Sequence, residues 1–175
     1  MFNQNFLIMK KLVLFAIILV AACTVAMAQP RAIGGRIAWN IGASYQHGFG
    51  EKNMLQVDLD FPGYGWGIQA TATYNWIFPI NSWTHAGSWN WYAGVGGGAG
   101  YIWGWGVRYF GSHWGGHGFA GVAGMIGVEY NFNFPLQLSL DWRPLVGPWF
   151  QKNSAAFYYE GLYSSAFGLG VRYKF

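Results

Sequence analysis

Three small groups of side chains in this sequence are of types that can do chemistry. His113 and His117 lie four residues apart in a stretch rich in Gly and Trp, and imidazole is a common metal ligand. No Cys and no carboxylate lies near them in the sequence, and two imidazoles alone make a weak site. We therefore predict no metal site and interpret this stretch as a loop with polar residues.

Ser112 is adjacent to His113, and Asp141 follows further along the chain. Ser, His and Asp together are the types used in nucleophilic catalysis. No nucleophile motif surrounds Ser112, however, and no carboxylate is placed by its spacing to orient His113. Asp58 and Asp60 are a pair of carboxylates of the kind used in acid–base catalysis, but we expect them to balance arginines. We predict that the protein is not an enzyme and binds no cofactor.

The elements that carry these residues are predicted to be β-strands. The chain ends with Phe167, Leu169, Val171, Tyr173 and Phe175, which alternate with small or charged residues. This alternation places the apolar side chains on one face of a strand. The last residues of a soluble protein are usually polar and frayed. A terminal strand with an apolar face therefore indicates a face turned to lipid.

Alternation and turn residues predict eight strands in the chain. The stretch 32–46 can be read as one strand or two. If the strands close into a membrane barrel, two are favoured, because bacterial barrels have an even number of strands. The long connections 104–118 and 144–164 then lie at one end of the barrel, opposite the short turns 48–53 and 131–135. The long connections can extend the flanking strands, with 158–163 in such an extension. The predicted strands are 32–39, 41–47, 54–61, 66–77, 89–103, 119–132, 136–143 and 165–175.

The charged residues of these strands fall on the face opposite the apolar residues. Four cations and four anions would point inward, whereas Arg31 and the remaining charged residues lie near strand ends or in loops. An eight-stranded barrel is just wide enough to be filled by its own side chains, so balanced charges predict a salt-bridged plug. The inward glycines of strand 89–103 are expected to make room for Arg side chains and Tyr92. The predicted interior network comprises Arg36, Asp58, Asp60, Glu129, Asp141, Arg143, Arg172 and Lys174.

The composition favours a membrane protein. The chain is 53% hydrophobic, 21% aromatic and 9% charged, whereas soluble domains contain about 25% charged residues. Beyond the first 28 residues no apolar run approaches the ~20 residues of a membrane helix, which leaves a closed β-barrel. The net charge of +4 comes with no basic patch that would bind nucleic acid. An aromatic girdle at the two membrane interfaces is predicted from Trp76, Trp89, Trp91, Trp103, Trp105, Trp142 and Trp149.

The first 28 residues have the pattern of an export leader. Lys10 and Lys11 precede an apolar run, and the sequence Ala-Met-Ala before Gln29 predicts cleavage after Ala28. Residues 1–8 are interpreted as an upstream extension. Cys23 follows Val-Ala-Ala and would be the acylated residue if the chain were instead a lipoprotein. We favour ordinary cleavage, which leaves 29–175 as a single barrel domain.

The segment Leu169-Gly-Val-Arg-Tyr-Lys-Phe175 resembles the C-terminal strand signature of Gram-negative outer-membrane barrels. The region after the leader is similar to the small eight-stranded barrels related to the membrane domain of outer-membrane protein A. The resemblance implies an all-β fold, an eight-stranded antiparallel up-and-down transmembrane β-barrel in the outer membrane. It also implies that the barrel-assembly machinery reads Leu169, Val171, Tyr173 and Phe175 as its signal during insertion.

Neither the pattern nor the resemblance specifies an activity. We expect a non-enzymatic barrel with a structural or surface-interaction role, a plugged lumen and outer-membrane lipid as its surroundings. We expect any extracellular ligand to bind through the aromatic loop 102–117, because aromatic rings can stack on sugars or lipid headgroups. Two alternatives stay open at this point: a narrow pore for ions or small solutes gated by interior salt bridges, and a lipid-modifying enzyme.

Overall fold

The computed structural model describes residues 29–63, 67–83, 86–103, 116–151, 154–160 and 166–175. Within these ranges no helix has the length and apolar character needed to cross a bilayer. The predicted leader and most of loop 102–117, including Ser112 and His113, lie outside the described residues. The strands are β1 (Gln29–Ile37), β2 (Asn40–Gly48), β3 (Asn53–Pro62), β4 (Gly67–Ile80), β5 (Ser88–Ile102), β6 (His117–Asn131), β7 (Leu136–Trp142), β8 (Leu145–Gln151), β9 (Ser154–Glu160) and β10 (Phe167–Lys174).

These strands form one closed antiparallel sheet. Each strand from β1 to β6 pairs with the next one, β7 pairs with β10, and β10 pairs with β1. β7 and β8 both pair with β6, one after the other, and together they form the seventh barrel strand. β9 pairs with β8 and β10 pairs with β7, so β9 and β10 form the eighth. The described residues thus confirm the predicted all-β, eight-stranded antiparallel barrel. They also confirm that 32–46 contains two strands.

The seventh barrel strand continues past its predicted end at Arg143. Ile126 lies opposite Trp142 and Ala123 lies opposite Leu145, so the register is unbroken between β7 and β8. Pro144 lacks an N–H and interrupts the ladder, yet its carbonyl accepts a 3.0 Å hydrogen bond from Gly124 N. The prediction of a strand end at Arg143 is therefore wrong. The expected extension of the flanking strands by connection 144–164 is present, because 145–151 and 154–160 pair as a hairpin that lengthens two barrel strands.

The register also sets the width of the barrel. Following paired residues once around the sheet from Ser139 leads to Trp149, ten residues further along the same barrel strand. With strands about 4.8 Å apart and a rise of about 3.3 Å per residue, this stagger gives a tilt of about 40° and a backbone radius of about 8 Å. The path passes through Gly170, Arg36, Gly42, Asp60, Gln69, Gly100 and Phe119.

The two ends of the barrel differ. One end carries turns 49–52, 81–87 and 132–135 together with Phe175, and we call it the C-terminal end. Gly50 and Gly87 have φ angles of 72° and 75° in these turns, a conformation that favours glycine. The opposite end, which we call the loop end, carries turn 38–39, the start of segment 103–116 and the β8–β9 hairpin.

Burial along the strands is opposite to that of a soluble protein. In β4 the buried inward residues include the polar Gln69, Thr71, Thr73 and Asn75, whereas Ile68, Tyr74 and Trp76 on the outer face are exposed. β3 repeats the pattern, with buried Asp58 and Asp60 between exposed Val57, Leu59 and Phe61. Most polar side chains of the described strands therefore lie in the lumen, and most of their large apolar side chains lie on the outside.

Candidate functional site

The lumen holds most of the charged residues of the strands. Seven of the eight residues predicted for the interior network are buried there. The eighth, Lys174, is partly buried at the C-terminal end, where its Nζ donates a 2.8 Å hydrogen bond to the carbonyl of Phe132. The seven buried residues are Arg36, Asp58, Asp60, Glu129, Asp141, Arg143 and Arg172.

Arg143 binds two carboxylates of β3 at once. Its Nη1 lies 2.5 Å from Asp58 Oδ2, and its Nη2 pairs with Asp60 Oδ2. Asp58 also accepts hydrogen bonds of 2.9 and 3.2 Å from Gln56 Nε2. The second oxygen of Asp60, Oδ1, has no hydrogen-bond partner among the described residues. Asp60 therefore depends on Arg143 more than Asp58 does.

A second ion pair joins β1 to β7. Arg36 Nε donates to Asp141 Oδ1 at 2.8 Å, and Arg36 Nη2 donates to the carbonyl of Ala166 at 3.0 Å. Tyr92 OH donates to the other oxygen of Asp141 at 3.3 Å. Both oxygens of Asp141 are thus engaged inside the lumen, in an ion pair and a phenolic hydrogen bond.

Glu129 has the fullest set of donors in the lumen. Arg31 binds both of its oxygens, and amide groups donate from Asn90 at 2.9 Å, Asn131 at 3.1 Å and Gln137 at 3.0 Å. Sequence reasoning missed Arg31, which it placed at a strand end. The reason is a β-bulge between Pro30 and Ala32, where Arg31 is the extra residue and its side chain turns inward. The neighbouring Pro30 was the available signal, because proline within a sheet is typical of bulges.

Arg172 differs from the other buried arginines. Its Nε donates to Ser44 Oγ at 2.8 Å, and its Nη1 donates to Ser139 Oγ at 2.7 Å and Gln137 Oε1 at 3.5 Å. It has no carboxylate partner among the described residues, and its Nη2 has no hydrogen-bond partner there. The described lumen contains four arginines and four carboxylates once Arg31 is counted, but only three of the arginines are in ion pairs.

Glycines make room for the large lumen side chains. A Cβ at Gly168 would overlap the guanidinium of Arg36, and one at Gly170 would overlap that of Arg172. On β5, the strand for which such a role was predicted, a Cβ at Gly100 would meet the ring of Phe119 instead. The arginines rest on the glycines of β10 because β10 lies next to β1 and carries Arg172 itself.

Two apolar clusters share the lumen with the charges. Met54, Ile77, Tyr92 and Met125 form one beside the ion pairs. The other lies at the loop end and consists of Phe119, Ala123 and Leu145, with Ile102 and Trp149 packed against it; we call it the apolar cap.

The outer face carries the apolar and aromatic residues. Leu169, Val171, Tyr173 and Phe175, the predicted assembly signal, are all about half exposed or more, with Phe175 at 68%. Trp76 and Trp91 are exposed there, whereas Trp105 lies outside the described residues. Trp149 does not belong to this face, because it packs inward against the apolar cap.

Aromatic rings form two chains of contacts near the C-terminal end. One joins Tyr45, His47, Phe49, Tyr74 and Trp76 with centroid distances of 5.3–6.1 Å. The other joins Trp83, Trp89, Tyr130, Phe132 and Phe134 at 4.6–5.3 Å.

The histidines of the described residues are held by aromatic neighbours. His47 Nδ1 lies 2.9 Å from the hydroxyl of Tyr45, and the ring of His117 lies 5.1 Å from that of Trp149. In the part of the chain that the structure describes, no three His, Cys, Asp or Glu side chains form a group that could hold a metal ion.

Comparisons with protein-family models, with curated proteins and with solved structures find no match for this chain.

Proposed function

We propose that this chain is a non-enzymatic β-barrel of a Gram-negative outer membrane, with a lumen plugged by its own side chains and a structural or surface-interaction role. The observation that carries the proposal is the inverted burial: guanidinium and carboxylate groups are inside, and Leu, Val, Ile and aromatic side chains are outside. In water such an outer face would be a large exposed apolar surface. In a bilayer it is the surface that acyl chains require.

The arrangement of the outer face supports this proposal. Aliphatic residues such as Leu140 and Val122 lie along the strands, and the two aromatic chains lie towards the C-terminal end. Trp39, Tyr101 and Trp103 are exposed near the loop end. An aliphatic band between aromatic rings is typical of transmembrane barrels. The resemblance of the last strand to outer-membrane barrels favours a periplasmic C-terminal end and an outward loop end.

The burial of the polar groups in the lumen supports the proposed plug. Gln56, Thr73 and Asn75, like the buried charged residues, expose at most a few per cent of their surface to solvent. A backbone radius of about 8 Å leaves little space beyond these side chains. We propose segment 102–117 as the surface through which an extracellular ligand binds.

Depth-dependent quenching tests the membrane location. Single cysteines at Leu140 and Glu51, each in a Cys23→Ser background, carry the same fluorescent label in protein mixed with phosphatidylcholine vesicles. Both positions are exposed in the structure. Insertion predicts that lipids brominated on the acyl chains quench the label at Leu140 but not the label at Glu51. Equal and weak quenching at both positions, with protein that does not float with the vesicles, would contradict the proposal.

Conductance in planar bilayers tests the plugged lumen. The inserted protein is expected to give no stable current steps. Large steady steps would contradict the plug and favour a narrow pore. Release of fatty acid from labelled phospholipid by the wild-type protein, lost in His113→Ala, would instead favour the lipid-modifying enzyme.

A further inference from the structure

The apolar cap occupies the loop end of the lumen, above the charged layers. Along β6, Glu129, Met125 and Phe119 follow one another towards the loop end. Along β7 and β8 the order is Asp141, Arg143 and then Leu145. The inward side chains therefore change from charged to apolar within two residues of Arg143. Phe119, Ala123 and Leu145 are each at most 3% exposed.

The β5 glycines form the seat of this cap. A Cβ at Gly100 would lie 2.5 Å from both Phe119 Cζ and the carbonyl oxygen of Ile68. A Cβ at Gly98 would lie 3.3 Å from Leu145 Cδ1, and closer still to Ala70 O and Thr71 Oγ1 on β4. A larger residue at Gly100 would therefore overlap the ring of Phe119, and one at Gly98 would crowd Leu145. The glycines of β5 thus leave space that the bulky side chains of β6 and β8 fill.

Below the cap the lumen holds the ion pairs and, beside them, the other apolar cluster, which consists of Met54, Ile77, Tyr92 and Met125. Water can hydrogen-bond the carboxylate and guanidinium groups of the ion pairs. An apolar section of a narrow pore behaves differently, because water leaves it and ions cannot cross without their hydration shell. It also shields the nearby ion pairs from water, which strengthens them.

We propose that the apolar cap, rather than the ion-pair layer, is the seal that prevents ions from crossing the barrel. The inference rests on the proposed function, because a seal has meaning only in a barrel that spans a membrane. The ion pairs then hold the strands together and balance the buried charge, and the cap keeps the lumen dry at its loop end.

Substitutions in the two layers separate these roles. Leu145→Ser and Phe119→Ser each place a hydroxyl where the cap was apolar. We expect either variant to raise ion flux through inserted barrels by roughly tenfold or more, because a polar lining keeps the constriction wet. The double variant Arg36→Gln with Asp141→Asn replaces an ion pair by two amides below an intact cap. We expect it to remain as closed as the wild type.

Val122→Ser is the matched control, since it lies on the outer face of β6 three residues from Phe119 and is 67% exposed. It should leave the flux unchanged. Cap variants that insert and stay closed, or an ion-pair variant that leaks as much as they do, would overturn the inference. If Leu145→Ser does not insert, Leu145→Ala removes bulk without adding a polar group, and a closed Leu145→Ala barrel overturns the inference equally. Wild-type protein that fails to float with vesicles would count against the proposed function instead.

Discussion

Replacing Arg143 by Met should destabilise the barrel more than any other single change at a charged residue of the lumen. Arg143 is the shared partner of Asp58 and Asp60, and all three are buried. Without the guanidinium, the carboxylates of Asp58 and Asp60 would lie side by side in the lumen with no cation bound to them. Gln56 would still donate to Asp58, but Asp60 would keep no hydrogen-bond donor among the described residues.

The expected loss of unfolding free energy follows from leaving a buried charge without its partner. Removing one partner of a buried ion pair destabilises a protein by about 3–5 kcal/mol, and here two carboxylates lose their partner. We expect a loss in that range, which lowers the folding equilibrium constant by roughly a hundredfold to a few thousandfold. Urea unfolding of the barrel in vesicles, followed by tryptophan fluorescence, measures this loss.

Two further variants make the result decisive. Lys52→Met, in the exposed turn 49–52, should change the unfolding free energy by no more than about 0.5 kcal/mol. Adding Asp58→Asn and Asp60→Asn to Arg143→Met should restore most of the stability, because removing a whole buried ion pair costs far less than removing one partner. A loss below about 1 kcal/mol for Arg143→Met, or no rescue by the two amides, would refute the reasoning.

Three more substitutions test other parts of the lumen and the outer face. Gly168→Ala should lower the unfolding free energy by about 1–3 kcal/mol, because its Cβ would overlap Arg36. Gly124→Ala is the control and should be close to neutral, since the nearest atom to its Cβ is Pro144 Cγ at 3.7 Å. Equal urea midpoints for the two variants would contradict this prediction. Arg31→Met should cost about 1–3 kcal/mol, less than Arg143→Met, because Glu129 keeps three amide donors; an equal loss in the same unfolding assay would be unexpected. Leu140→Arg should cost about 2–4 kcal/mol in vesicles, with Leu140→Met as the neutral control, and an equally stable arginine variant would argue against a lipid-facing surface.

The alternation of residue types was sufficient to predict the barrel and the inward side of its strands. Asp58 and Asp60 between Val57, Leu59 and Phe61 leave one consistent register, because a shift by one residue would move both charges to the outer face. The same reasoning predicted that Arg36, Asp141 and Arg172 would lie on one side of the sheet. Periodicity is a local property of the sequence. It predicts which face of the sheet a side chain lies on, but it does not predict which residues of distant strands that side chain contacts.

Features that depend on irregular backbone or on distant strands were beyond this reasoning. Arg31 faces the lumen because a bulge at Pro30 reverses the alternation for one residue. The strand 136–143 was predicted to end at Arg143, but it continues past Pro144 because its register with the adjacent β6 is unbroken. Which carboxylate each arginine binds depends on the stagger of the whole barrel. Arg172, which has serine and glutamine partners instead of a carboxylate, shows how little the charge count alone specifies.

The equal number of guanidinium and carboxylate groups in the lumen has an electrical consequence. A potential applied along the barrel axis acts on each elementary charge with about 2.3 kcal/mol per 100 mV. Because Arg31, Arg36, Arg143 and Arg172 are matched by Asp58, Asp60, Glu129 and Asp141, the opposing forces on these eight side chains cancel in sum. The field can stretch or turn individual pairs, but it exerts no net pull on the filling of the barrel. A uniform field therefore cannot move these eight side chains along the axis as one body.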